Sequence, residues 1–170
     1  MNDDVSMKDY ILNIFYSTKG DLGKINEIID AKMMVNRDRK ITVFETYIKA
    51  RLKLNPQKLK MANMGIIPVE AIYLSQYPDV NTVEILDLRK NGFGDEGLVG
   101  IVKSPMLQNV RELDLRNNNI SRVGAQMLAN SATLQNLEKL DLRLNKLGKR
   151  WEEKLQESVH LPKLKEVKVT

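Results

Sequence analysis

The 170 residues predict an α/β solenoid: short parallel strands stacked in register, each followed by a helix, with an α-helical cap at the N-terminal end. Three observations carry that expectation. A strand-like segment recurs every 27 residues through the C-terminal two thirds. Apolar residues alternate within each copy and then switch to helical spacing between copies. The first 55 residues lack the repeat but carry helical apolar stripes of their own.

Three copies align without gaps: Val83-Glu-Ile-Leu-Asp-Leu-Arg-Lys-Asn91, Val110-Arg-Glu-Leu-Asp-Leu-Arg-Asn-Asn118 and Leu137-Glu-Lys-Leu-Asp-Leu-Arg-Leu-Asn145. One period later, Leu164, Val167 and Val169 keep the apolar positions of a closing strand over 164–169. One period earlier, Pro56 opens a degenerate copy in which Leu59 and Met61 keep the strand positions and Met64 stands in place of asparagine. Repeats therefore start at 56, 83, 110 and 137. Leu86 and Leu88, Leu113 and Leu115, and Leu140 and Leu142 alternate with polar neighbours, as a strand with one buried face requires. Asn91, Asn118 and Asn145 fall where each strand turns away. A short amide there can bond backbone groups of its own and the next repeat, so the asparagines are expected to form a ladder.

Between copies the period lengthens. Ile66, Phe93, Ile120 and Leu147 recur just after the turn, and Leu98, Ile101 and Val102, then Ala125, Leu128 and Ala129, follow at helical spacing. Leu74 and Leu155 take the equivalent deep position in the outer units, and Val80, Leu107, Leu134 and Leu161 close each unit. The pattern L-x-x-L-x-L-x-x-N at this period resembles the leucine-rich repeat. The segments Asn91-Gly-Phe-Gly-Asp-Glu-Gly97-Leu and Asn118-Asn-Ile-Ser-Arg-Val-Gly124-Ala resemble its ribonuclease-inhibitor-like subclass. The resemblance covers residues 56–170. It implies a right-handed solenoid with parallel strands on a concave face and full helices on a convex face, and binding of proteins across the strands and the loops that follow them. Inhibition of a ribonuclease is not implied, since so short a stack does not make a wide horseshoe. The fourth unit departs from the pattern: Trp151 replaces Gly97 and Gly124, and Glu152 replaces Leu98 and Ala125, so the last helix is expected to shift outward.

Within residues 1–55, Met7, Tyr10, Ile11, Ile14 and Phe15 have helical spacing after a capping start at Ser6 with Asp9, and Gly20 ends that helix. Asp21 can cap a second helix striped by Leu22, Ile25, Ile28 and Ile29. A third is expected from about Asp38 to Leu54, with Phe44, Tyr47, Ile48, Arg51 and Leu52 in register, stopped by Pro56. A solenoid end exposes its core, so these helices read as a lid, with a separate docking domain as the alternative. At the other end Lys163, Lys165 and Lys168 surround an edge strand and discourage edge-to-edge pairing. A monomer or weak dimer is expected.

Composition narrows the chemistry. The chain has no Cys and a single His, His160, which removes disulfides, thiol nucleophiles, thiolate metal sites and two-histidine metal centres. Gly92, Gly94 and Gly97 resemble part of a phosphate loop but lack its lysine. No serine is positioned to pair with His160. The expectation is a non-catalytic protein with no cofactor and no metal. The acidic N-terminus does not read as a secretory signal, and no run approaches the roughly 18 apolar residues of a membrane span. A cytoplasmic protein is expected, or one delivered without a cleavable signal.

Candidate partner-binding residues occupy the strand positions that the core does not use. Equivalent positions in a parallel stack lie about 4.8 Å apart. One column reads Lys60, Asp87, Asp114, Asp141, Lys168; beside it Ala62, Arg89, Arg116, Arg143 and Thr170 form a second. Stacked aspartates repel, and the arginines neutralise them, so the columns are expected to form a charge ladder. That ladder is either a self-satisfied network or a recognition surface flanked by Glu84, Lys90, Arg111, Glu112, Asn117, Glu138, Lys139 and Leu144. Trp151 is a candidate aromatic anchor, or a residue partly buried over the last repeat. From Arg37 to Lys60 eight cations (Arg37, Arg39, Lys40, Lys49, Arg51, Lys53, Lys58, Lys60) face two anions, a local excess behind the net charge of +5. The patch fits an acidic partner or a solvated helix face. A nucleic-acid role is disfavoured because Phe44 and Tyr47, the interleaved aromatics, are assigned to the core. The function expected is a protein-binding module or adaptor using the strand face. The alternatives are a binder of nucleic acid or anionic surfaces through residues 37–60, and a bacterial effector or ligase-type substrate-recognition subunit.

Overall fold

The computed structural model describes residues 13, 14, 16–19, 21–33 and 41–170, and it has one parallel sheet backed by helices. The strands are β1 (Lys58–Lys60), β2 (Ile85–Asp87), β3 (Glu112–Asp114), β4 (Lys139–Asp141) and β5 (Glu166–Lys168), and their spatial order is their chain order. Each pairs with the next in parallel with a 27-residue offset, so Leu59, Leu86, Leu113, Leu140 and Val167 stack in one column and Lys60, Asp87, Asp114, Asp141 and Lys168 in another. The register follows from the alternation: a one-residue slip would turn every leucine to solvent.

The helices are α1 (Leu22–Met33), α2 (Ile41–Leu54), α3 (Pro68–Gln76), α4 (Gly94–Lys103), α5 (Arg122–Ala129) and α6 (Arg150–Gln156). Helix α3 starts at a proline, which lacks the amide a first turn cannot use, and the Glu70 carboxylate turns back to accept the Ile67 N–H at 3.1 Å. Helix α5 starts on Ser121, whose hydroxyl accepts the Val123 N–H at 3.1 Å. Short 3-10 turns, Pro78–Thr82 and Pro105–Leu107, return the chain to the sheet.

The core lies between sheet and helices and is continuous. Leu74, Ile101, Leu128 and Leu155, one from each repeat, are fully buried at equivalent helical positions, as are Ile66, Phe93 and Ile120 after the turns; Leu147 is only partly buried. Ile14, Ile25, Ile41, Phe44, Ile48 and Leu52 of the N-terminal helices join the same hydrophobic cluster as Leu59 and Met61 of the first repeat. Asp21 caps α1 as the spacing predicts, accepting the Lys24 N–H at 3.2 Å. The expected start at Ser6 and Asp9, the residues Met7, Tyr10, Ile11 and Phe15, Gly20, the Ile29 side chain and the Asp38 start of the third helix lie outside the described residues. One assignment is corrected: Tyr47 is 38% exposed and is not core. The buried stripe of α2 is Ile41, Phe44, Ile48 and Leu52, and Tyr47 is turned to the flank, where the Arg51 guanidinium sits 5.8 Å from its ring centroid. No helix among the described residues is long and apolar enough to cross a membrane.

Candidate functional site

The sheet presents a groove of about 470 Å³ on its helix-free face, lined by Lys58, Lys60, Ile85, Asp87, Arg89, Asp114 and Asp141 among others. Its architecture begins with the asparagines. The Asn118 Oδ1 accepts the N–H groups of Asn91 (3.1 Å) and Gly92 (3.0 Å), while its Nδ2 donates to the carbonyls of Leu88 (2.9 Å) and Leu115 (3.1 Å). Asn91 does the same for Met64, Ile66, Met61 and Leu88, and Asn145 for Asn118, Ile120, Leu115 and Leu142. Backbone groups that leave the sheet thus find partners across repeats without water.

Just before each ladder position the backbone is left-handed: Asn63 before Met64, and Lys90, Asn117 and Leu144 before the three asparagines, spaced by 27, have φ of 54°, 59°, 52° and 60°. That position was not legible as special, although asparagine, the residue that best tolerates the conformation, occupies two of its four copies. In the last copy it is Leu144, 73% exposed beside the charge ladder.

The ladder forms, with its principal clamps inside each repeat. Arg116 grips Asp114 through two contacts, Nε to Oδ1 at 2.9 Å and Nη2 to Oδ2 at 2.6 Å, and Arg143 grips Asp141 likewise at 3.0 and 2.7 Å. Arg89 holds Asp87 more loosely, at 3.4 Å. Among the described residues only Arg116 reaches across, to Asp141 Oδ2 at 3.5 Å. Each aspartate Oδ1 also accepts the backbone N–H of the arginine two residues on, at 3.2 to 3.3 Å, so the aspartates brace the strand exit as well as facing the groove. Burial pushes the Asp141 carboxyl up, but the hydrogen bonds and charge of Arg143 and the charge of Arg116 outweigh it and hold the group below its ordinary value. The hydrogen bond to Asp114 raises the Arg116 guanidinium above its ordinary value.

A second ladder of alternating sign runs along the strand entrances. Arg111 meets Glu84 at 3.5 Å and Glu138 at 3.2 Å, and Lys165 meets Glu138 at 2.7 Å. Lys139 pairs with Glu112 at 2.7 Å and Lys168 with Glu166 at 2.5 Å. Lys60 and Lys58 are exposed on the first strand and make no ion pair among the described residues. The concave face is therefore self-paired toward β3 to β5 and carries uncompensated positive charge at β1.

The remaining sequence-derived candidates, apart from Lys58 on β1, separate from this groove. Trp151 lies in α6 on the opposite, helical side, 8% exposed, with the Lys154 ammonium 4.5 Å from its ring centroid. Of the basic segment, Arg37, Arg39 and Lys40 lie outside the described residues. Lys49 pairs with Glu45 at 2.5 Å, Arg51 covers Tyr47, and Lys53 and Lys58 are solvated without an ion pair among the described residues. Among the described residues no group of three or more His, Cys, Asp or Glu side chains is placed to hold a metal ion.

Comparison with curated proteins finds no match. A family model described as Leucine Rich repeat matches residues 81–102, 107–129 and 133–150, the segments that hold β2 to β4 and most of α4 and α5. Five strands stacked at a 27-residue offset and an asparagine ladder joining them agree with that match, and residues 81–150 are leucine-rich repeats.

Proposed function

We propose that the protein is a non-catalytic adaptor that binds a protein partner across the concave strand face. Leucine-rich repeats generally mediate protein–protein contact, and the family is generally not enzymatic. The observation that carries the reading is the state of the strand face: a preformed groove lined by Asp87, Asp114 and Asp141, each aspartate held by the arginine two residues on, with Leu144, next to Arg143 in the chain, kept 73% exposed at φ 60°. An apolar side chain displayed in a backbone conformation that disfavours it costs stability unless an interface uses it. The pre-paired charges give geometric selectivity at low ordering cost. The full convex helices α4 and α5 support the ribonuclease-inhibitor-like subclass, and the cap's share in the core supports its role as a lid that stays with the repeats.

Arg116 sits at the centre of the face, so Arg116→Glu tests the reading. Affinity purification from the native cell extract with the wild type and this variant, matched for circular dichroism, should recover a partner with the first and lose it with the second. Equal recovery would place the site elsewhere.

A further inference from the structure

We infer that the convex side carries a second docking site: a groove over α5 that takes an amphipathic helix of a partner protein with acidic residues beside its apolar stripe. The groove encloses about 710 Å³; Val102, Val123, Met127 and Trp151 give it an apolar lining, and Lys103 and Arg122 stand on it as cations. Val123 is 58% exposed there.

The groove has a cause in the repeat. Neighbouring convex helices touch at glycine: a Cβ on Gly97 would lie 3.0 Å from the Ala71 Cβ, and one on Gly124 would collide with an Asp95 carboxylate oxygen and lie 3.0 Å from Leu98 Cδ2. The same position in the last unit is Trp151. An indole cannot enter a space that excludes a methyl group, and here the Trp151 ring lines the open surface beside α5.

Three observations select the occupant. No carboxylate lines the groove, while Arg122 makes no ion pair among the described residues, and neither do Lys149 and Arg150 at the start of α6. An acidic ligand is thereby favoured over a neutral or basic one. The residues of α5 that line it, Arg122, Val123, Gln126 and the half-buried Met127, follow helical spacing, the ridge pattern into which another helix packs. The α5 surface offers a row of side chains and no sheet edge to which a strand could add, so helix-in-groove recognition is favoured. Helices already pack on this side: Tyr16, in the helical residues of the cap, receives a hydrogen bond from Lys103 at the end of α4. Helix α5 has eight residues and is about 12 Å long, which matches two turns of ligand.

The test selects a phage-displayed library of helical peptides on the full chain and measures the enriched peptides against Val123→Asp, Arg122→Glu and Arg116→Glu. Val123 and Arg122 are exposed in the first turn of α5, where acidic side chains suit the helix N-terminus, so both variants should fold. Expected are peptides with apolar residues at i, i+3 or i+4, and i+7 plus Asp or Glu, bound at least about tenfold more weakly by Val123→Asp and by Arg122→Glu and unchanged by the concave-face variant. No enriched peptide, enriched peptides that are neutral or basic, or binding insensitive to both α5 variants would overturn the proposal. So would a dimer in sedimentation that Val123→Asp dissociates, which would give the groove to a second copy of the chain. Loss with Arg116→Glu alone would instead support the concave reading and reject this one.

Discussion

The inner repeat built on Asn118 and the last repeat built on Asn145 share a strand, a turn and a ladder asparagine, yet they pack differently. Asn118 is fully buried and Asn145 half-buried; the inner helix α5 meets its neighbour at Gly124, and α6 presents Trp151 at the same position. The left-handed residue before the ladder is Asn117 in one and Leu144 in the other. Backbone pairing therefore propagates to the end of the stack, because it depends only on residues within the strand and turn. The glycine contact between convex helices does not, because it needs a small residue facing the next helix and the last unit has Trp151 there.

The sharpest way to test that contrast is to remove the two asparagines. Asn118→Ala leaves the N–H groups of Asn91 and Gly92 and the carbonyls of Leu88 and Leu115 without this partner in the interior. The two carbonyls keep the amides of Asn91 and Asn145, at 2.6 and 2.9 Å, so the loss falls on the two buried N–H groups; at about 1–3 kcal/mol each, Asn118→Ala should cost about 3 kcal/mol. Asn145→Ala cuts as many bonds where water has more access, and should cost about 2 kcal/mol. Urea midpoints measure both. Equal losses would show that the ladder is as tight at its end as in its middle.

Helix packing comes next. Gly124→Ala forces a Cβ into the Asp95 carboxylate and to within 2.7 Å of Ile120, and should cost roughly 1–3 kcal/mol. Gly148, in the last repeat, has no atom within 4 Å of its would-be Cβ, and Gly148→Ala should change the thermal midpoint little. If both were silent, the glycines would not set the spacing of the convex helices.

How far these features could be read in advance follows from the range of the interactions behind them. The strand register and the asparagine ladder were legible because a strict period places Leu86 over Leu113 and Asn91 beside Asn118 whatever the rest of the chain does. The pairing of Asp114 with Arg116 was legible as two columns on one face; the second bond of each aspartate, to the backbone two residues on, was not, because it depends on how the strand exits. Tyr47 was misplaced because i+3 and i+4 from Phe44 are both helical neighbours, and only the packing decides that i+4, Ile48, faces the core. The convex groove could not be read at all. Trp151 in the glycine column announced an irregular helix, but the groove's size and lining come from three helices together.

Acid provides a finer comparison along the ladder. Asp141 titrates below its ordinary value in the folded chain because of Arg143 and Arg116, and Glu138 does so because of Lys165 and Arg111. Groups with depressed values stabilise the fold above the unfolded value and lose that contribution as pH falls through the folded one. Stability should therefore decline as pH drops through the ordinary carboxylate range, and Asp141→Asn should flatten part of that decline while costing about 1 kcal/mol at neutral pH, since its arginine partner is largely solvated. A decline of equal depth in the variant would remove Asp141 from the account.

The smallest effect expected is a gain. Leu144 holds φ at 60°, a region that costs an ordinary L-residue about 1–2 kcal/mol and that asparagine enters more readily, as Asn63 and Asn117 do at the equivalent positions. Its side chain is 73% exposed, so little burial is lost on replacing it. Leu144→Asn should thus raise the stability of the last repeat by about 0.5–1 kcal/mol. The same change removes an exposed apolar group next to Arg143 of the charge ladder, and on the adaptor reading it should weaken binding of the partner recovered by the wild type. The two readouts together separate the explanations of why leucine stands there. A more stable variant that binds less well marks Leu144 as a residue kept for contact at the expense of the fold. A more stable variant with undiminished binding would leave the last repeat merely less well formed than its neighbours, and a destabilised one would mean that Leu144 packs against its surroundings more than its exposure implies.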